Sequence, residues 1–67
     1  MPKLQVTSDE PHTGFNLVWG GKSFVVVRSV KEWRMIGNNA DVRLGRDSLH
    51  WTTALDRAIE QIERRFA

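Results

Sequence analysis

The basic residues between positions 22 and 46 are the strongest candidates for binding chemistry in this chain. Six of the ten lysines and arginines fall in this segment against two acids, Glu32 and Asp41, which leaves a local charge of +4. Guanidinium and ammonium groups bind phosphates, and arginine also reads the guanine edge in the major groove. We therefore predict a nucleic-acid-binding site, with duplex DNA as the favoured ligand. The predicted binding residues are Lys22, Arg28, Lys31, Trp33, Arg34, Arg43 and Arg46.

Other residues that could perform catalysis or bind a metal lack the spacing that such chemistry needs. Gly21-Lys22-Ser23 resembles the end of a phosphate-binding loop, but position 16 is asparagine instead of glycine and a valine-rich segment follows. His12 and His50 have no recognisable nucleophile beside them, and the chain contains no cysteine. We predict no enzyme activity, no metal and no cofactor.

The length of 67 residues predicts one small domain with a limited core. A single core of this size supplies only about 3–5 kcal/mol, so a homodimer stays open as a further source of stability. No apolar stretch approaches the ~20 residues that cross a bilayer, and no signal-peptide pattern is present. We expect a complete cytoplasmic protein with no membrane partner, of a size that phages and other mobile elements often encode.

A hairpin centred on Gly20-Gly21 is the clearest structural element in the sequence. Two glycines accept the positive φ angles of a two-residue turn between antiparallel strands. Such a turn sets Leu17 against Phe24 and directs the bulky apolar residues of both strands to one face. Before this hairpin, residues 1–14 are expected to form an extended arm or edge strand followed by a polar loop.

The middle of the chain allows two interpretations of residues 29–36. The first is a strand that turns after Gly37 and sets Arg34 against Arg43, so that apolar residues meet on the other face. The second is a short helix, which would begin at the capping-box pattern of Ser29 and end at Gly37. We favour the strand because its pairing accounts for more residues. It requires a bulge near Ser29 to direct its apolar face to the same core.

Near the C-terminus, apolar residues recur at the spacing of one face of a helix. Segment 48–66 is therefore predicted to contain a helix from about Leu49 to Arg65 that packs its apolar face against the sheet. The fold class that follows is α+β, with a three- to four-stranded antiparallel sheet over residues 15–46 and this helix on one face. The apolar face of the helix consists of Trp51, Leu55, Ala58, Ile59, Ile62 and Phe66.

Two non-catalytic functions are predicted from the basic segment. Arginines directly opposite each other on a sheet repel, so Arg34 and Arg43 favour a bound anion and a nucleic-acid-binding module that uses a basic face of the sheet. The alternative is a protein-interaction module, such as a small inhibitor or modulator of a larger enzyme. It would bind through an exposed patch of Trp33, Met35 and the arginines, since these residue types are enriched in interfaces.

The order of strands and helix, with Leu44-Gly45 closing the last strand and Ala54–Ala58 in the helix, resembles two DNA-binding families. These are the plant ethylene-response type domain and the arm-site-binding domain of tyrosine recombinases. The resemblance covers a small part of the chain. It departs from the families at Arg43, where they have an aromatic residue, and in a loop before the helix that is shorter than in the plant pattern. It implies a sheet that lies in the major groove.

Overall fold

The chain folds as an antiparallel sheet of five strands followed by one helix. The computed structural model describes residues 3–66. The elements are β1 (Leu4–Thr7), β2 (Gly14–Trp19), β3 (Lys22–Ser29), β4 (Glu32–Gly37), β5 (Ala40–Arg46) and α1 (Trp51–Phe66). Each strand pairs with its neighbours along the chain, in the order β1-β2-β3-β4-β5. The predicted α+β class is confirmed, while the sheet has five strands where three or four were predicted.

The predicted hairpin between β2 and β3 is confirmed. The two residues of Gly20-Gly21 have φ angles of 55° and 83°, and Leu17 lies opposite Phe24. A second turn of the same kind joins β4 to β5 at Asn38-Asn39, whose φ angles are 50° and 64°. Asparagine tolerates this left-handed region better than most residues do, so both turns follow from residue type.

The turn between β3 and β4 divides a segment that was predicted as one continuous strand, and this accounts for one strand more than predicted. Ser29 ends β3 and Glu32 begins β4, and the two residues lie opposite each other. The interpretation of residues 29–36 as a short helix is therefore wrong, and the strand interpretation needs a turn at its start. Lys31 has a φ of 74°, which residues other than glycine, asparagine and aspartate seldom adopt. The turn therefore had no signature in the sequence.

A two-residue turn at Val30-Lys31 stands where a bulge near Ser29 was predicted, and a bulge lies in β5. The predicted pairing of Arg34 with Arg43 would continue with Trp33 opposite Leu44, but Trp33 lies opposite Gly45, since the register shifts between Trp33 and Arg34. Leu44 is the additional residue of β5, and its side chain is buried in the core. Because of this additional residue, Arg46 lies opposite Glu32 and projects from the face that the helix does not cover.

One hydrophobic core lies between the sheet and α1, as predicted. The helix packs along β3 and β5, and the Trp33 indole Nε1 donates a hydrogen bond to the Leu49 carbonyl oxygen at 3.1 Å. Within residues 3–66, no helix has the length and apolarity that crossing a membrane requires. The buried core residues are Phe15, Leu17, Phe24, Val26, Trp33, Met35, Leu44, Ala54, Ala58 and Ile62.

Candidate binding surface on the open face of the sheet

The face of the sheet opposite α1, called the open face below, is covered by no element of residues 3–66. Side chains alternate along each strand, and residues directly opposite in an antiparallel pair project to the same side. The strand register therefore assigns the members of this face. They are Gln5, Thr7, Asn16, Val18, Ser23, Val25, Val27, Ser29, Glu32, Arg34, Ile36, Asp41, Arg43 and Arg46.

The charged part of the open face is an ion-pair network between β4 and β5. The Glu32 carboxylate contacts both arginines, with Oε2 at 3.2 Å from Arg34 Nε and Oε1 at 3.3 Å from Arg43 Nε. Asp41 Oδ1 lies 2.9 Å from a terminal nitrogen of Arg34. The two acids therefore balance the two arginines. Repulsion between Arg34 and Arg43 is offset inside the chain, so it no longer argues for an external anion.

The apolar part of the open face is centred on Val25 and Ile36. These residues are direct partners across β3 and β4, and they are 44% and 45% exposed. Val27 lies beside them and is half-buried, and Asn16 lies opposite Val25 on β2. A shallow groove whose lining includes Thr7, Asn16, Val25 and Val27 continues the surface towards β1. The open face thus has an apolar centre with ion-paired arginines on one side and neutral polar groups on the other.

The seven predicted binding residues do not form one site. Arg34, Arg43 and Arg46 project from the open face, whereas Lys31 lies in the turn between β3 and β4. Trp33 is 0% exposed beneath the helix, so the predicted surface patch of Trp33, Met35 and arginines is not exposed. Met35 lies two residues further along β4, so it projects to the same face and is enclosed in the same core.

The remaining two predicted residues lie on the helix side of the sheet, at opposite ends of β3. Lys22 pairs with Trp19, and its Nζ lies 5.8 Å from the centroid of the Phe66 ring. Arg28 pairs with Trp33 near the other end of β3 and is exposed. These two cations therefore do not project from the same face as Arg34, Arg43 and Arg46.

The exposed centre of the open face was missed from the sequence, although a signal was present. Val25 and Val27 alternate with Phe24 and Val26, so their projection to the second face could be read from the period of two. What could not be read was that this second face stays uncovered. Ile36 was missed as well, because its segment had not been separated from a short helix.

His50 serves as the cap of α1, although Asp47 and Ser48 just before it are residue types that commonly cap helices. Its Nδ1 accepts a hydrogen bond from the backbone N–H of Thr52 at 3.3 Å and lies 2.7 Å from the Thr52 hydroxyl oxygen. The first N–H groups of a helix need such partners. In the part of the chain that the structure describes, no group of three or more His, Cys, Asp or Glu side chains is placed to hold a metal ion.

No known protein family, curated protein or solved structure matches the chain. The resemblance to the ethylene-response and arm-site-binding domains therefore stays a prediction.

Proposed function

We propose that this chain is a protein-interaction module whose open face binds a protein partner with an apolar patch bordered by carboxylates. The observation that carries the proposal is the exposed pair Val25 and Ile36 at the centre of a face that no element of residues 3–66 covers. Protein interfaces combine an apolar centre, arginines and a polar rim, and this face has all three.

The ion-pair network suits protein recognition better than phosphate binding. Arg34 is held by two acids and Arg43 by one, which reduces the rotamer freedom that binding would otherwise remove. Arg43 retains terminal guanidinium nitrogens beyond its Nε contact, and its side chain is well exposed. These donors, together with Arg46, favour carboxylates at the border of the partner's apolar patch.

The sharpest test replaces the apolar centre without changing the net charge. Val25→Lys with Ile36→Glu places an opposite-charge pair across β3 and β4, which sheets accept, so we expect the fold to persist. Each tagged variant is used to capture proteins from a nuclease-treated extract of cells that express the chain. We expect partners bound by the natural sequence to fall about tenfold or more, since two apolar side chains at an interface centre are worth more than 1.4 kcal/mol.

A matched control places the same two charges outside the open face. Val30→Lys and Gln61→Glu change the exposed β3–β4 turn and the helix surface, and this control should retain the partners. Circular dichroism verifies that all variants are folded. Equal capture by the Val25→Lys, Ile36→Glu variant and the natural sequence would contradict the proposal. So would the absence of any protein that the natural sequence retains and that this variant loses.

Nucleic-acid binding is the second candidate, and one observation favours it. Arg28, Lys31 and Arg46 surround the β3–β4 turn, all three are exposed, and none forms an ion pair with another residue of 3–66. Cations without an acidic partner, here at one end of the sheet, are the groups that neutralise phosphates. Asp47 follows Arg46 directly and reduces the local excess of charge, which is why the open face ranks first.

A salt titration of duplex DNA binding tests the second candidate. If three cations contact phosphates, the affinity should fall about 40-fold between 50 and 200 mM salt, from a log–log slope of about −2.7. Replacing Arg28, Lys31 and Arg46 by alanine should remove most of this dependence. A control variant in which Lys3, Arg64 and Arg65 are replaced by alanine should lose less of the salt dependence. Binding that is equally salt-dependent in both triple variants would exclude a site at this turn.

A further inference from the structure

The two edges of the sheet differ in how well they are protected against pairing with another strand. On the β5 edge, the bulge at Leu44 interrupts the ladder, and Arg57 donates a hydrogen bond from Nη1 to the Leu44 carbonyl oxygen at 3.0 Å. Asp41, Arg43 and Arg46 add charge along the same strand. Bulges, charged side chains and capped carbonyls all discourage strand addition.

The β1 edge has none of these features. Its residues are Leu4-Gln5-Val6-Thr7, without charge or proline, and they pair with β2 in an unbroken register. The Lys3 carbonyl accepts a hydrogen bond from the Gly20 N–H at 3.1 Å. Backbone groups of alternate residues point to opposite sides of a strand. The N–H and C=O groups of Leu4 and Val6 therefore point away from β2, along the free edge.

The side chains of this edge are also uncovered on the helix side. Leu4 and Val6 face the same side as Leu17 and Trp19, but they are 41% and 36% exposed. The reason is that α1 packs along β3 and β5 and leaves the β1 side of the sheet open. Free hydrogen-bonding groups and exposed apolar side chains thus coincide on one edge of the molecule.

We propose that β1 pairs antiparallel with β1 of a second copy of this chain, about a two-fold axis, to form a continuous ten-stranded sheet. A strand that pairs antiparallel with itself satisfies two-fold symmetry, because each contact occurs twice. The free groups of Leu4 and Val6 fit a register centred on Val6, in which each Val6 faces the partner's Val6.

Charge complementarity supports this choice of partner. In the register centred on Val6, Gln5 lies opposite the partner's Thr7, and Lys3, which precedes β1, lies at the end of the interface where the partner's Asp9 follows the strand. Two ion pairs then flank an apolar centre, and no like charges meet within the strand. An unrelated edge strand would gain the same backbone hydrogen bonds but not this repeated pairing of opposite charges.

The dimer would extend the binding surface beyond that of the single chain. A two-fold axis perpendicular to the sheet leaves both open faces on the same side, next to each other. A partner with two matching patches would then bind both copies and gain avidity. The dimer itself does not depend on the proposed protein-interaction function, because β1 contributes through its edge and the helix side.

Sedimentation equilibrium of the whole chain tests the dimer at concentrations up to about 1 mM. We expect a mass approaching twice the 7.7 kDa of the chain. Val6→Pro removes an N–H that points away from β2, so the sheet should persist, as verified by circular dichroism, while the mass falls to that of one chain. A monomer at every concentration, or a Val6→Pro variant that is folded and dimeric, would overturn the proposal.

A charge exchange tests the register. Lys3→Glu should weaken association about tenfold, since it replaces two attractive contacts by two repulsive ones, and Lys3→Glu with Asp9→Lys should restore it. Failure of the double variant to recover would overturn this pairing. The Val25→Lys, Ile36→Glu variant should dimerise normally. A failure of partner capture and a failure of dimerisation are therefore separable outcomes.

Discussion

Trp33→Ala is expected to leave most of the chain unfolded at 25 °C. Among the described residues, Trp33 has the largest fully buried side chain, and it is 0% exposed. Its ring packs against Phe15 with centroids 6.2 Å apart, and its Nε1 donates to the Leu49 carbonyl oxygen. Truncating a buried tryptophan to alanine costs about 3–5 kcal/mol. A single core of this size supplies about the same amount, so little stability would remain.

Urea denaturation followed by circular dichroism measures this effect. Trp33→Phe is the matched comparison, because it keeps most of the apolar volume and loses the hydrogen bond to Leu49. We expect Trp33→Phe to fold with a lower midpoint, because the Leu49 carbonyl loses its partner at a cost of about 1–3 kcal/mol. A Trp33→Ala variant that unfolds at the midpoint of the natural sequence would show that the core does not depend on this ring.

Gly37→Ala is expected to destabilise the chain by about 2–4 kcal/mol, through backbone strain and a clash together. Gly37 ends β4 with a φ of +153°, and a Cβ placed there would lie 2.6 Å from the Ser23 carbonyl oxygen and 3.0 Å from the Phe24 Cα. These are backbone atoms of the neighbouring strand. A change of rotamer therefore cannot relieve the contact, and β3 and β4 would have to separate.

Gly21→Ala is the control for Gly37, since it isolates the conformational cost. Gly21 has a φ of +83°, but a Cβ added there meets no atom within 4 Å. Its substitution should cost only about 1–2 kcal/mol, the penalty of an ordinary residue in the left-handed region. Thermal unfolding of both variants measures the difference. Equal losses would mean that β3 and β4 accommodate the additional carbon without strain.

Part of the fold could be predicted because its signals are local. Two glycines fixed the first hairpin and its register, and the apolar period after residue 50 defined the helix within two residues of its start. The pairing of Arg34 with Arg43 followed from the second turn. The predicted strand count was wrong for two reasons. Residues 1–14 were predicted as either an extended arm or an edge strand. Lys31 has a left-handed backbone conformation that lysine seldom adopts, so the turn between β3 and β4 was not predicted.

The candidate site was less predictable, because it depends on contacts between distant segments. The sequence by itself determined which residues alternate on each strand, and therefore that Arg34 and Arg43 share a face. Only the tertiary structure decided that Glu32 contacts both arginines and that Asp41 contacts Arg34, so that the two acids offset their charge. Ion pairs across a sheet depend on register, and a single bulge changes the register.

The choice of the covered face was also a tertiary decision. Either face of the sheet carries apolar residues, and the period of two along each strand assigns residues to one face or the other. The helix covers the face with the larger side chains, such as Trp33 and Phe24, since burying more apolar area stabilises the fold more. That choice enclosed the tryptophan that had been predicted to bind a partner. It left Val25 and Ile36 on the surface, where we propose that binding occurs.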